Sequence, residues 1–156
     1  MNADNKGRNG TMTDSVVKFE SPKEHYTADA CIFWCFDDRF WKLRKRFIEA
    51  LGFKSVDVVQ AAGGAKALAG GDTPERQFLL GQLDASIRLH HTKCVILMVH
   101  IDCGAYGGSK QFKAIEDEYA HHTEELAKAH AFISGKYPEL EVERYIADFE
   151  GLRRIR

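Results

Sequence analysis

The chain has 156 residues, 44% hydrophobic and 29% charged, and its 22 Lys+Arg against 23 Asp+Glu leave a net charge of -1. This is the length of one domain with a real core, and the balanced charge argues against a protein that binds nucleic acid by bulk electrostatics. No apolar run approaches the roughly 20 residues of a membrane helix, and the polar opening MNADNKGRNGTMTDS carries no secretory signal, so a cytoplasmic protein that binds no membrane is expected.

Residues 1–14 are rich in Asn, Asp, Gly and Thr and are expected to form a flexible tail, with a single domain over 15–156. A short apolar piece, Val16-Val17-Lys18-Phe19, precedes a Ser21-Pro22 turn. Residues 30–36, ACIFWCF, are a nearly continuous apolar run ended by Asp37-Asp38-Arg39, which reads as a buried strand of a parallel sheet. Phe40, Leu43, Phe47 and Leu51 follow at helical spacing, with Gly52 as the stop; the basic residues Lys42 to Arg46 between them read as a solvated face.

Ser55 to Gln60 predicts a second strand, which runs into the small-residue turn Ala61-Ala62-Gly63-Gly64. Asp72 or Thr73 caps the next helix, Pro74 occupies its first turn, and it ends near His90-His91, where cations suit the helix dipole. CVILMV at 94–99 is the third strand and leads into His100-Ile101-Asp102-Cys103-Gly104. A long helix is predicted over about 110–133, with Phe112, Ile115, Tyr119, His122, Leu126 and Ile133 as its apolar stripe. Residues 142–149 alternate and predict a fourth strand at a sheet edge. Strands alternating with helices make an α/β fold: a doubly wound, mostly parallel sheet of about four strands, order 2-1-3-4, flanked by helices.

Four cysteines without an export signal point to metal or thiol chemistry before disulfides. Cys31 and Cys94 sit inside apolar runs and read as small buried hydrophobes. Cys35, Asp37 and Arg39 stand at i, i+2 and i+4 at the end of the first strand, so they share one side of an extended chain. His100 and Cys103 flank the end of the third strand. In an open parallel sheet, sites form where crossovers diverge at the carboxyl ends of strands. With strands one and three adjacent, Cys35, His100 and Cys103 converge there. Two thiolates and an imidazole leave one position open on a tetrahedral Zn²⁺, which is the catalytic type of zinc site.

Cys35-Phe36-Asp37-Asp38-Arg39 resembles the C-x-D-x-R motif of β-class carbonic anhydrases, and His100-Ile101-Asp102-Cys103-Gly104 resembles their H-x-x-C-G motif. Gln60-Ala61-Ala62-Gly63-Gly64 is similar to that family's R-N-A-G-N turn, with Gln60 in place of the arginine and Ala61 in place of the asparagine. The resemblance implies Cys35, His100 and Cys103 as zinc ligands and Asp37 and Arg39 as the catalytic dyad. It implies reversible hydration of CO₂ to bicarbonate by a zinc-bound hydroxide, in a homodimer or higher homo-oligomer. The N-terminal helices with which family members embrace a partner subunit are not visible in this sequence.

Alternatives stand beside this. The substrate can instead be carbonyl sulfide or carbon disulfide, or the chain can be a non-catalytic zinc-binding or redox-sensing module. Asp37 and Arg39 can form a structural salt bridge, and a released Asp37 can itself fill the fourth zinc position. His122 reads as a core or interface histidine, or as a proton shuttle. Gly107-Gly108-Ser109 reads as a turn, or as a helix start whose amides face bicarbonate. Phe33, Trp34, Phe36 and Tyr106 are candidates for an apolar wall, although packing of the strand alone explains Phe33, Trp34 and Phe36, and core is the role expected for them.

Overall fold

The computed structural model describes residues 14–156; residues 1–13, nearly all of the expected tail, lie outside the described residues. Every side chain of strand β1 (Ala30–Cys35) is buried, so both of its edges and both of its faces must be covered. Strand β2 (Val56–Ala61) pairs with it in parallel along its whole length, from Ala30 opposite Val56 to Cys35 opposite Ala61. Strand β3 (Cys94–His100) covers the other edge, also parallel. Strand β4 (Glu141–Asp148) lies parallel to β3, and β5 (Gly151–Ile155) closes the sheet antiparallel to β4. The order is β2-β1-β3-β4-β5.

The two-residue period of the strands divides the core. Ile32, Trp34, Ile96 and Met98 face one way, with Phe40, Phe47 of helix α1 (Trp41–Ala50) and Tyr145 packed on them. Cys31, Phe33, Val95, Leu97 and Val99 face the other way, toward α2 (Lys66–Ala69), α3 (Pro74–His90) and α4 (Ile115–Lys136). Crossovers therefore run on opposite faces of the sheet, and they diverge at the carboxyl ends of β1 and β3. Among the described residues, no helix precedes β1.

The predicted order of four strands holds, with a fifth added. The fourth strand is not an edge, because β5 turns back on it within a few residues. Asp148 anchors that turn. Its carboxylate accepts the Glu150 and Gly151 N–H groups at 2.8 Å each, the Tyr119 hydroxyl at 2.6 Å and Arg153 Nε at 2.7 Å. The long helix starts at Ile115 rather than near 110. Gly107 and Gly108 both take left-handed backbone and turn the chain away, and Ala114 is extended, its N–H donated to Asp117 of the first helical turn. Phe112 therefore precedes the helix, and Ile115 is largely exposed; His122, Leu126, Ala129 and Ile133 carry the buried stripe.

His90 is not simply a charge at a helix end. Its Nδ1 meets the Asp57 carboxylate at 2.8 Å, where Tyr26 and Ser86 also donate, while His91 takes the left-handed cap. Cys31 and Cys94 behave as packing residues, and burial pushes each thiol up to about 12.

Burial pushes the Asp148 carboxyl up, but Tyr119, Arg153 and the two backbone N–H groups outweigh it and hold it down at about 2. A depressed carboxyl stabilises the fold above its unfolded value, near 3.9, and that contribution is lost as pH falls toward the folded value. Acid unfolding followed by circular dichroism should show Asp148→Asn with a flatter loss of stability between pH 4 and 2 than the parent, and with lower stability at pH 7. Parallel curves would mean that the hairpin anchor adds nothing.

Candidate metal centre

Cys35 closes β1, His100 closes β3, and Cys103 follows after a tight turn in which Asp102 adopts φ 58°. The Sγ atoms of Cys35 and Cys103 and a ring nitrogen of His100 lie within 4.8 Å of one another. All three residues are buried, at 3%, 0% and 2% exposure for Cys35, His100 and Cys103. Among the described residues this is the only such cluster able to hold a metal ion.

The donors fit a metal ion. His100 Nδ1 lies 2.9 Å from the Ile101 carbonyl and donates to it, which leaves Nε2 with its lone pair free. That Nε2 is buried and has no hydrogen-bond partner. Such a group in a native interior calls for an occupant.

The thiols differ in charge. The Cys103 thiol lies against Cys35 and, with the Asp37 and Gly63 backbone, holds its thiol below the ordinary value against the effect of burial. The same contact, with burial, pushes Cys103 up. The pair thus favours one shared proton between two sulfurs, and a divalent cation held there would take that proton's place.

Asp37 and Arg39 do form a pair, clamped on both carboxylate oxygens. Arg39 Nε lies 3.0 and 3.1 Å from Oδ1 and Oδ2, and Nη2 lies 2.7 Å from Oδ2. The Arg39 backbone N–H also donates to Oδ1. These hydrogen bonds hold the Asp37 carboxyl below its usual range. Asp37 Oδ2 is 3.9 Å from His100 Nε2, so the carboxylate stands at the rim of the cluster and is held off the sulfurs by its arginine. Its side chain is 21% exposed, which makes this the wet side of an otherwise buried centre.

Arg39 reaches further than the motif suggests. Nη1 donates to Asp102 Oδ2 at 3.0 Å and Nη2 to the Asp102 carbonyl at 3.1 Å. Its guanidinium also lies over the rings of Phe149 and Phe40, 5.3 and 5.8 Å from their centroids. Asp102, Glu118 and Phe149 are the neighbours that sequence reasoning missed. Asp102 lies inside the second motif, and Glu118 stands four residues before His122 on a buried helix face; these were the available signals. Ser109 does not offer a free amide to an anion, because its N–H donates to Asp102 Oδ1 at 3.0 Å.

Phe33 and Trp34 are core, whereas Phe36 is exposed beside the dyad. His122 is fully buried, and burial pushes it down to about 4, so it is a neutral imidazole at pH 7. Gln60 is exposed at the end of β2, and Ala61 lines an apolar cavity of about 680 Å³ between α2 and α3, with Phe78 at its wall.

An α/β sheet with this strand order and a Cys/His/Cys cluster at its switch point defines the class: proteins with the β-carbonic anhydrase fold. A carbonic anhydrase of Glaciozyma antarctica superposes with a TM-score of 0.58 at 19% identity, over 85% of this chain and 84% of its own. The β-carbonic anhydrase isoform I of Trichomonas vaginalis gives 0.59 at 14% identity, over 88% and 87%. A carbonic anhydrase of Streptococcus mutans gives 0.57 at 16%, over 85% and 84%. An uncharacterized protein of Rickettsia bellii is 28% identical over 146 residues, 88% of this chain and 89% of its own. A second, from Rickettsia conorii, is equally identical over the same length and spans 78% of its own chain. The family model described as "Putative carbonic anhydrase" matches residues 26–151, and the chain belongs to that family.

The turn after β2 closes the centre. Gly64 takes φ +60°, and a Cβ there would stand 2.2 Å from the Met98 carbonyl oxygen and 3.2 Å from the Cys35 nitrogen. Gly64→Ala should therefore lower the unfolding free energy by about 2 kcal/mol or more, the left-handed backbone and the clash acting together. Urea denaturation measures it; an unchanged midpoint would show that the turn can move off the strands.

Proposed function

We propose that this chain is a zinc-dependent carbonate dehydratase, a cytoplasmic homo-oligomer whose residues 15–156 work as one domain. One observation carries the reading: an unpartnered His100 Nε2 buried against two cysteine sulfurs, with an arginine-held carboxylate at the rim. Cys35, His100 and Cys103 would hold Zn²⁺, which supplies the Lewis acidity that makes water a nucleophile near neutral pH. Two thiolates and a neutral imidazole cancel its charge, so that acidity is milder than in an all-histidine site.

The chain's own residues do the rest. Asp37, ionised and locked by Arg39, accepts a hydrogen bond from the attacking water and fixes its orientation. Because Asp37 is partly exposed, the proton leaves to solvent on that side. Arg39 keeps the carboxylate from swinging onto the metal, and it adds a positive charge near the bicarbonate product. Phe36 and Phe149, both exposed, give an apolar approach for a nonpolar gas. The four free cysteines suit a reducing compartment.

Metal analysis with stopped-flow CO₂ hydration tests the reading. The pure protein should carry about one zinc per chain, and Cys35→Ser, His100→Ala and Cys103→Ser should each lose it. Asp37→Asn should keep the zinc and lose about a hundredfold in rate. Full zinc in all three ligand variants would overturn the site. A zinc-replete protein without CO₂ hydration would overturn the activity, and sulfide release from carbonyl sulfide in its place would reassign the substrate.

The apolar cavity beside β2 and the exposed Phe78 support the homo-oligomer. Light scattering at micromolar concentration should give at least a dimer, and Phe78→Asp should shift it toward the monomer. A monomeric parent protein would exclude the assembly.

A further inference from the structure

We infer that Glu118, on the far side of the Cys103 turn, is a positioning residue for the Asp37–Arg39 pair and acts through Asp102. The inference rests on the reading of that pair as the catalytic dyad. Glu118 is fully buried, a rare place for a carboxylate, and it is committed at both oxygens. Oε1 accepts the Asp102 N–H at 2.7 Å, and Oε2 accepts the Ser109 hydroxyl at 2.6 Å. Asp102 and Ser109 are themselves joined, Ser109 N–H to Asp102 Oδ1. The other oxygen of Asp102 and its carbonyl take two donors of Arg39, and Arg39 takes Asp37. An unbroken line of hydrogen bonds therefore runs from a helix interior to the carboxylate at the rim of the metal centre.

Each link in this line suits the position of Glu118. Asp102 holds a left-handed backbone without being glycine, a conformation that persists only where its surroundings fix it. Glu118 supplies that restraint, since its carboxylate is the acceptor for the Asp102 N–H. The anchor is rigid, because Glu118 sits in the first turn of the 22-residue α4. Below it lies His122, one turn on, its Nε2 3.5 Å from Glu118 Oε1. Without Glu118, the Asp102 peptide is free to rotate, the acceptors of Arg39 move, and the guanidinium loses its fixed angle to Asp37.

The readout is the Arg39 side chain itself. In ¹H–¹⁵N spectra the Arg39 Nε–H signal, identified by its absence in Arg39→Lys, should be protected from solvent exchange in the parent. In Glu118→Ala its exchange should rise about tenfold, as expected when a buried acceptor is removed. Ser109→Ala, which removes one of the two donors, should give a smaller rise. Glu118→Gln should restore protection, since its amide oxygen still accepts from Asp102 and its NH₂ can donate to Ser109. Melting curves identify the temperature at which each variant is folded, and exchange is compared there. Unchanged Arg39 exchange in folded Glu118→Ala would overturn the proposal, as would Glu118→Gln behaving like Glu118→Ala. A protein inert toward CO₂ would overturn the proposed reaction and leave this measurement standing.

Discussion

Two sulfurs and an imidazole sit where almost no water reaches them, and the local structure is organised to offset that burial. A lone thiolate in an apolar interior is strongly disfavoured, so charge must be shared, hydrogen-bonded or neutralised by a cation. Here the Cys103 thiol, the His100 ring and two backbone N–H groups gather around Cys35. The Gly63-Gly64 turn can bring its backbone that close only because it has no side chains. The β1–β3 switch point provides the place: both strands end there, and no crossover roofs the gap.

The parts of the molecule dictated by burial on two faces were legible in the sequence. β1 and β3 read as apolar runs because nothing in them meets solvent, and the ends of those runs placed Cys35, Asp37, Arg39, His100 and Cys103 together. What was not legible depends on distant partners. β5 is a short GLRRI segment with two arginines, and its pairing is fixed by Asp148 and Tyr119 from other elements. The start of α4 was displaced because the apolar spacing that begins at Phe112 runs through a stretch in which Phe112 and Ala114 are extended rather than helical. Glu118 lies in IEDEY among two other acidic residues and off the apolar stripe read from the sequence, yet it is the buried one of the three.

The structural likeness to the carbonic anhydrases of Glaciozyma antarctica, Streptococcus mutans and Trichomonas vaginalis persists at identities below 20%. In this chain the buried strands β1 and β3 lie between α1 on one face and α2, α3 and α4 on the other. The side chains at the strand ends are under a different constraint. Cys35, His100 and Cys103 meet to within 4.8 Å, so their place at the ends of β1 and β3 leaves little slack.

Phe149 sits in the hairpin turn beside Asp148 and lies over Arg39. This ties the guanidinium to the outermost and least enclosed strand pair of the sheet. Edge elements open locally more often than the strands they border. Each such opening strips an aromatic neighbour from Arg39 while β1 and β3 stay intact. The Asp37–Arg39 pair thus has its own local stability, set by a five-residue edge strand, and thermal or acidic stress reaches it through that hairpin before β1 and β3 separate.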